Sequence, residues 1–332
     1  MKALLSRAPG GPDTLVLDEA ESPVPSDGEV RIRVHACGVN YPDALIIEDK
    51  YQFRPERPFA PGGEVAGEID AVGAGVDQLK IGDRVMALTG SGGMAEQVVT
   101  TANRCVSMPD SMPFDEGAAF IFTYGTSYHA LKQRAALSAG DTLLILGAAG
   151  GVGLSACELG NAMGARVVAA ASSEEKVELA KAHGAETGLI YPRGPFDKEG
   201  TKALAAQFKE AVGPDGANAI YDAVGGDYAE AALRCVAWKG RFLVVGFPAG
   251  IPRIPLNLAL LKGCEIVGVF WGTFTSREVE TNRQNNRELV ELYLAGKIKP
   301  HVSRRYALAD AGNALKDLTE RRAMGKIVIT ID

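Results

Sequence analysis

The stretch "LILGAAGGVGLSACELG", residues 144–160, constrains this chain more than any other. Its apolar start reads as a strand and its end as a helix, with Gly147, Gly150, Gly151 and Gly153 crowded into the turn. A helix N-terminus carries unpaired N–H groups and about half a positive charge. A turn free of side chains lets a phosphate reach those groups, which is why dinucleotide sites use G-x-G-x-x-G after a strand. Here the pattern's positions fall on Ala148, Gly150 and Gly153, with alanine replacing the first glycine. A plain strand-to-helix turn could need glycine for packing alone. The context favours a cofactor, because a second strand, "RVVAAAS", follows directly after the helix. The predicted diphosphate site is the backbone of Ala149, Gly150, Gly151, Val152 and Gly153.

The tip of that second strand selects the cofactor. NAD sites place an acid there for the ribose 2′-hydroxyl. This chain has "AAASSEEK": Ser172 and Ser173 at the tip and Lys176 one turn into the next helix. Two hydroxyls and a cation suit a 2′-phosphate dianion, so NADPH is predicted. Glu174 and Glu175 count against this unless they point outward from the first helical turn, where acids favour the helix dipole. Ser172 and Glu175 also stand at capping-box spacing.

Two domains are expected from the length of 332 residues. Residues 1–120 hold period-two runs such as "EVRIRVHACGVN", punctuated by "PGG" and "KIGD", and read as a barrel-like β module. Residues 121–260 alternate strands and helices, which means βαβ units on a parallel sheet. "CEIVGVFWG" reads as a further strand of that alternating region, and the chain returns to the first module from a boundary within 261–300, its closing strand "GKIVITI" alternating as a half-exposed strand does. A net charge of −6 without a basic stripe argues against nucleic acid and membrane surfaces. No apolar run approaches the ~18 residues of a membrane span, and the N-terminal stretch lacks a signal-peptide core, so a cytoplasmic protein is expected. Cys37, Cys105, Cys157, Cys235 and Cys264 stand singly, without C-x-x-C, and read as small buried hydrophobes. His35, His129, His183 and His301 form no ligand pair, so no metal is expected.

"VHACGVNYPDALI", "PGGEVAGEIDAVGAGV", "GDRVMAL", "TYGTSYHAL", "GAAGGVG", "YDAVGG" and "ERRAMGKIVI" together resemble the medium-chain dehydrogenase/reductase superfamily, and within it the zinc-free quinone oxidoreductase branch. The resemblance implies an α/β chain: a GroES-like β-barrel catalytic domain plus a Rossmann doubly wound parallel sheet. Zinc members hold their metal with a Cys and a His where this chain has Asn40 and Gly63, and their four-cysteine lobe is absent. By the same likeness Tyr51 lies beside the cofactor, Asn40 near the nicotinamide and Thr126 facing it. Tyr191 and Arg321 flank the 2′-phosphate, with Arg322 one register away. Val224 of "YDAVGG", Gly246 and Phe247 of "VGFP", and Val269, Phe270 and Trp271 run along the nicotinamide half. Structural roles compete: Tyr191 as a strand-end aromatic, Thr126 as a helix cap, Phe270 and Trp271 as core or dimer-interface residues.

Without a metal no strong Lewis acid stabilises an alkoxide. An electron-poor conjugated acceptor needs less help, since its charge spreads to an oxygen that ordinary donors can hold. The expected reaction is hydride transfer from NADPH to a quinone or similar conjugated carbonyl, with Asn40, Tyr51 and Tyr41 as polar groups near substrate. Alternatives are an enoyl-thioester or 2-alkenal reductase, and an NADPH-binding sensor or crystallin-like protein without turnover. A homodimer is expected through the apolar edge strand in "GCEIVGVFWG".

Overall fold

A computed structural model describes residues 1–331. The strands, in chain order, are β1 (Lys2–Ser6), β2 (Leu15–Glu19), β3 (Glu29–Val39), β4 (Glu64–Val72), β5 (Arg84–Leu88), β6 (Gln97–Thr101), β7 (Cys105–Ser107), β8 (Thr142–Leu146), β9 (Arg166–Ala171), β10 (Thr187–Ile190), β11 (Ala217–Asp222), β12 (Val236–Val244), β13 (Glu265–Gly268), β14 (Val302–Ala307) and β15 (Lys326–Thr330). The helices are α1 (Tyr41–Ile47), α2 (Phe114–Gly117), α3 (Ile121–Tyr128), α4 (Gly151–Ala162), α5 (Glu174–Ala182), α6 (Lys198–Val212), α7 (Tyr228–Leu233), α8 (Asn257–Lys262), α9 (Trp271–Arg277), α10 (Val279–Leu294) and α11 (Ala311–Thr319). The chain divides into two compact units: Met1–Phe122 with the chain from Pro300 onward, and Thr123–Lys299.

In the first unit the sheet order is β14-β15-β3-β4-β5-β7, with β6 also paired to β3. β3 shows why the period-two pattern works. Val30, Ile32 and Val34 are buried, while Arg31 and Arg33 pair with Asp70 and Glu68 on the next strand. Each buried aliphatic contributes roughly 1.5–3 kcal/mol. An exposed ion pair adds at most about 1 kcal/mol, so the apolar face decides the register. The closing strand differs from its half-exposed reading: Lys326, Ile327, Val328 and Ile329 are all buried. The cause is its place inside the sheet between β14 and β3, with Ala311, Ala314 and Leu315 of α11 clustered against Ile327 and Ile329.

The second unit holds a six-stranded sheet ordered β10-β9-β8-β11-β12-β13, and each of its strand pairs is parallel. This is the order of two mononucleotide-binding halves meeting at β8 and β11. Leu143–Leu146 are fully buried, as expected of a strand covered on both faces. The unit ends at Lys299, at the far end of the range 261–300 left open for that boundary. Residues 261–299 belong here because β13 completes the parallel sheet beside β12.

Among the described residues no helix is long and apolar enough to cross a membrane. All five cysteines are free; Cys37, Cys157 and Cys235 are buried, whereas Cys105 and Cys264 are only partly so. His35 and His129 stack on Phe114 and Phe274, consistent with packing roles.

Candidate functional site

Open parallel sheets bind ligands beyond the carboxyl ends of their strands. In the second unit those ends lead into residues 147–150, 172–173, 223–226, 245–248 and 269–270, which contain half of the predicted cofactor positions. Gly147 takes a positive φ of 70°, and the N–H groups of Gly147 and Ala148 donate to Ala170 O of β9 at 3.0 and 3.2 Å. Gly150 is the N-cap of α4. The two later glycines have different duties. A Cβ at Gly153 would lie 2.2 Å from Gly147 O and 2.8 Å from Ala148 backbone, so α4 packs on the strand end only with glycine there. At Gly150 the nearest atom to such a Cβ is 3.4 Å away, an ordinary contact, so nothing in the protein requires glycine at this position. Its missing side chain leaves an approach to the helix N-terminus, as a diphosphate needs. A β-branched residue is therefore tolerable to the fold at Gly150 and not at Gly153.

A buried hydroxyl cluster fixes the turn from below. Ser127 Oγ donates to Val152 O at 3.0 Å and lies 2.9 Å from both Ser155 Oγ and Tyr221 Oη. This ties α3, which carries the buried Thr126, to the first turn of α4. Sequence reading missed Ser127, because a serine in a helix carries no signal of its own.

At the tip of β9 the helix begins one residue later than the capping-box spacing implied. Ser173 is the N-cap of α5 and caps nothing with its side chain. Neither Ser172 nor Ser173 makes a side-chain hydrogen bond among the described residues, so both hydroxyls remain available to a ligand. Glu174 and Glu175 are exposed and Lys176 is half-buried. The fit is to a phosphate. Tyr191 adjoins this tip, its N–H donating to Ala171 O, but its ring packs against Tyr228 at 4.9 Å in the core. Of the two C-terminal arginines, which both belong to the first unit, Arg322 meets the Asp317 carboxylate at 2.6 Å.

Along the other half, Val224 N and Gly225 N donate to Asp222 Oδ1 at 2.9 and 2.8 Å. Gly246 N also turns back to Asp222 O, and Val269 N to Val244 O. Phe247 and Phe270 are 44% and 60% exposed, whereas Trp271 is buried against Gly125, where a Cβ would lie 2.5 Å from the indole. Trp271 is thus a packing residue. Burial pushes the Asp222 carboxyl up to about 6, partly offset by the N–H groups of Gly225 and Val224.

In the first unit Asn40 immediately precedes α1, whose first residue is Tyr41. Asn40 Nδ2 donates to Glu64 Oε2 at 2.9 Å and to Gly38 O at 3.3 Å; its Oδ1 accepts from Lys326 Nζ at 2.8 Å. Its amide donors are therefore engaged inside the unit. Lys326 Nζ also donates to Glu64 Oε2 at 3.0 Å and Val39 O at 3.2 Å. Asp43 is buried and pushed up to about 6 by that burial, offset by N–H donors from Asn40, Gly62 and Gly63 and by the Lys326 charge. Tyr41 and Tyr51 are half-buried. The Tyr51 hydroxyl is raised by burial and then by the Asp43 charge. Among the described residues no three His, Cys, Asp or Glu side chains converge to hold a metal ion. An ammonium already sits beside Asn40.

Residues 26–110 match the alcohol dehydrogenase GroES-like domain and residues 151–289 the zinc-binding dehydrogenase domain. The chain is 38% identical over 305 residues to a quinone oxidoreductase-like protein 2 homolog of Nematostella vectensis, covering 91% of this chain and 81% of that one. It is 33% identical to a quinone oxidoreductase of Pseudomonas aeruginosa, covering 99% of each. The mycobacterial Rv1454c structure, complexed with NADPH, aligns with a TM-score of 0.91 at 30% identity, over 99% of both chains.

Substituting the two glycines should separate their duties. Gly153→Val is expected to destabilise the protein by roughly 1–3 kcal/mol or more. Gly150→Val should stay within about 1 kcal/mol of wild type while losing NADPH affinity. Thermal melts with NADPH titration decide this; wild-type affinity in Gly150→Val would refute the access role.

Asp222 predicts a pH effect. Its folded pKa lies above the ordinary carboxylate value, so its contribution is fully present below pH ~4 and is lost as pH rises through about 6. A displacement of about two pKa units corresponds to about 3 kcal/mol. Asp222→Asn keeps an acceptor for both N–H groups, so it should gain stability over wild type as pH goes from 4.5 to 7.5. Parallel stability curves across that range would contradict the assignment.

Proposed function

The chain belongs to the quinone oxidoreductase branch of the medium-chain dehydrogenase/reductase superfamily, and we propose that it is a zinc-independent enzyme passing hydride from NADPH to a quinone or another electron-poor conjugated carbonyl. The observation that carries this reading is the tip of β9: two unengaged hydroxyls, a lysine, and acids turned outward. When bound, NADPH supplies the hydride. The protein's part is binding, orientation and charge. The N-terminus of α4, open at Gly150, takes the diphosphate. Ser172, Ser173 and Lys176 take the 2′-phosphate, with the backbone of Tyr191 bordering the tip. Thr126, Val224, Gly246, Phe247, Val269 and Phe270 border the nicotinamide half. With Asn40 engaged by Lys326 and Glu64 where zinc relatives have a ligand, no Lewis acid polarises the acceptor. The acceptor must then delocalise its own charge, which a quinone does. Tyr41 and Tyr51 are the donors available to its oxygen, and water protonates the product.

A homodimer through β13 fits the same reading. β13 ends the sheet with one edge unpaired among the described strands, and Trp238, Leu256, Leu260 and Leu261 lie exposed at 71%, 73%, 81% and 68%. Antiparallel pairing of two such edges is self-complementary and would cover them. Sedimentation should give twice the chain mass; a monomer at micromolar concentration would exclude it.

The acceptor and cofactor are tested together. Wild type should oxidise NADPH with quinones, and turnover confined to alkenals or enoyl thioesters would move the acceptor class. Tight NADPH binding without turnover of any acceptor would leave a binding protein. A charge-assisted hydrogen bond contributes roughly 1.5–3 kcal/mol, and ~1.4 kcal/mol is tenfold. Lys176→Ala should therefore weaken NADPH about tenfold and leave NADH almost unchanged. Ser172→Asp should reverse the preference. A wild type that favours NADH, or variants that keep its ratio, would refute the phosphate pocket.

A further inference from the structure

Lys326 stands 286 residues from Asn40 and 262 from Glu64 in sequence, yet its ammonium is buried against both. Its three N–H groups meet three acceptors: Asn40 Oδ1, Glu64 Oε2 and Val39 O. Glu64 is fully buried and equally complete, its other oxygen accepting Phe122 N–H at 2.8 Å. A buried ion pair is tolerable only with such satisfaction.

The pair dictates the orientation of Asn40. Its amide lies between a cation and an anion, oxygen toward Lys326 and nitrogen toward Glu64. Turning the amide over would set NH₂ against ammonium and oxygen against carboxylate, two repulsions at once. The Asn40 main chain is held too, its N–H donating to Asp43 Oδ2 at 2.7 Å. Tyr41 is the next residue. Gly38 completes the arrangement, because a Cβ there would lie 1.9 Å from Ala118 O and 2.8 Å from Glu64 Oε2.

We infer that Lys326 is a positioning residue for the acceptor: with Glu64 it locks Asn40, and through Asn40 the start of α1 that presents Tyr41. This role rests on the proposed hydride transfer. A purely structural Lys326 would matter for folding and leave turnover of the folded enzyme alone.

The test compares kcat, acceptor KM, NADPH Kd and Tm for wild type, Lys326→Met, Lys326→Arg, Asn40→Ala, the Lys326→Met/Asn40→Ala double variant and the Lys326→Met/Glu64→Gln double variant. Lys326→Met strands a buried carboxylate and should lower Tm; Lys326→Met/Glu64→Gln removes that charge and should recover most of it. In both, kcat per folded enzyme should fall tenfold or more, with NADPH Kd within twofold of wild type. Lys326→Arg keeps the charge and should recover part of kcat. Asn40→Ala should match the kcat loss of Lys326→Met, and their combination should be no worse than either, since both act by one route. Wild-type kcat in Lys326→Met/Glu64→Gln, or losses that multiply in the Asn40 combination, would overturn the inference. Wild type that turns over no acceptor would remove the proposed reaction and this role with it, a failure visible before any variant is made.

Discussion

The second unit is organised by one close approach: the first turn of α4 lies on the end of β8, with Gly153 against Gly147 O. No other residue type permits that contact. It brings the helix N-terminus over the strand end, so the partial positive charge of α4 faces the crevice where parallel sheets bind ligands. Ser127 reinforces it from α3, and Asp222 arranges the neighbouring loop from β11. The proposed cofactor positions follow from this geometry more than from their own side chains.

Buried acids recur as anchors for backbone. Asp43 gathers three N–H groups, Asp222 two, and Glu64 takes the N–H of Phe122 in the first turn of α3. Glu158 on α4 does likewise, accepting Lys299 N–H at 3.0 Å and Tyr124 Oη at 2.6 Å. Loops near the candidate site have no regular ladder to satisfy them, and a carboxylate supplies several acceptor positions in one place. Such desolvation raises the pKa of Asp43 and Asp222, and the N–H donors recover only part of it.

Local features were readable from sequence because their physics is local. The glycine turn, the alternating β3 and the acid-free tip of β9 each lie within a dozen residues. The start of α5 was misplaced by one residue, since Ser172 and Ser173 are equally plausible caps and only the strand end distinguishes them. The β15 pattern failed for a different reason. Lys326 beside Ile327 looks like a half-exposed strand, and nothing nearby reveals a buried carboxylate waiting for its ammonium. Asn40 was legible as the substitute for a zinc ligand, but the engagement of its amide depends on Lys326 and Glu64, both distant in sequence. The boundary within 261–300 stayed open in the sequence because the pairing of an apolar edge strand is not local; β13 joins β12.

The position of β15 bears on how the protein comes into being. Synthesis runs from the N-terminus, so every strand of the parallel sheet has emerged before β14 and β15 exist. The nucleotide-binding unit is one continuous segment and can close as soon as it is made. The first unit cannot: β3 lacks one neighbour, and Glu64 its counter-charge, until β15 has left the ribosome. For that interval a carboxylate destined for a dry interior stays in water, and the strand edge that β15 will cover stays open. Completion of the first unit thus waits on β15, while that of the second unit does not.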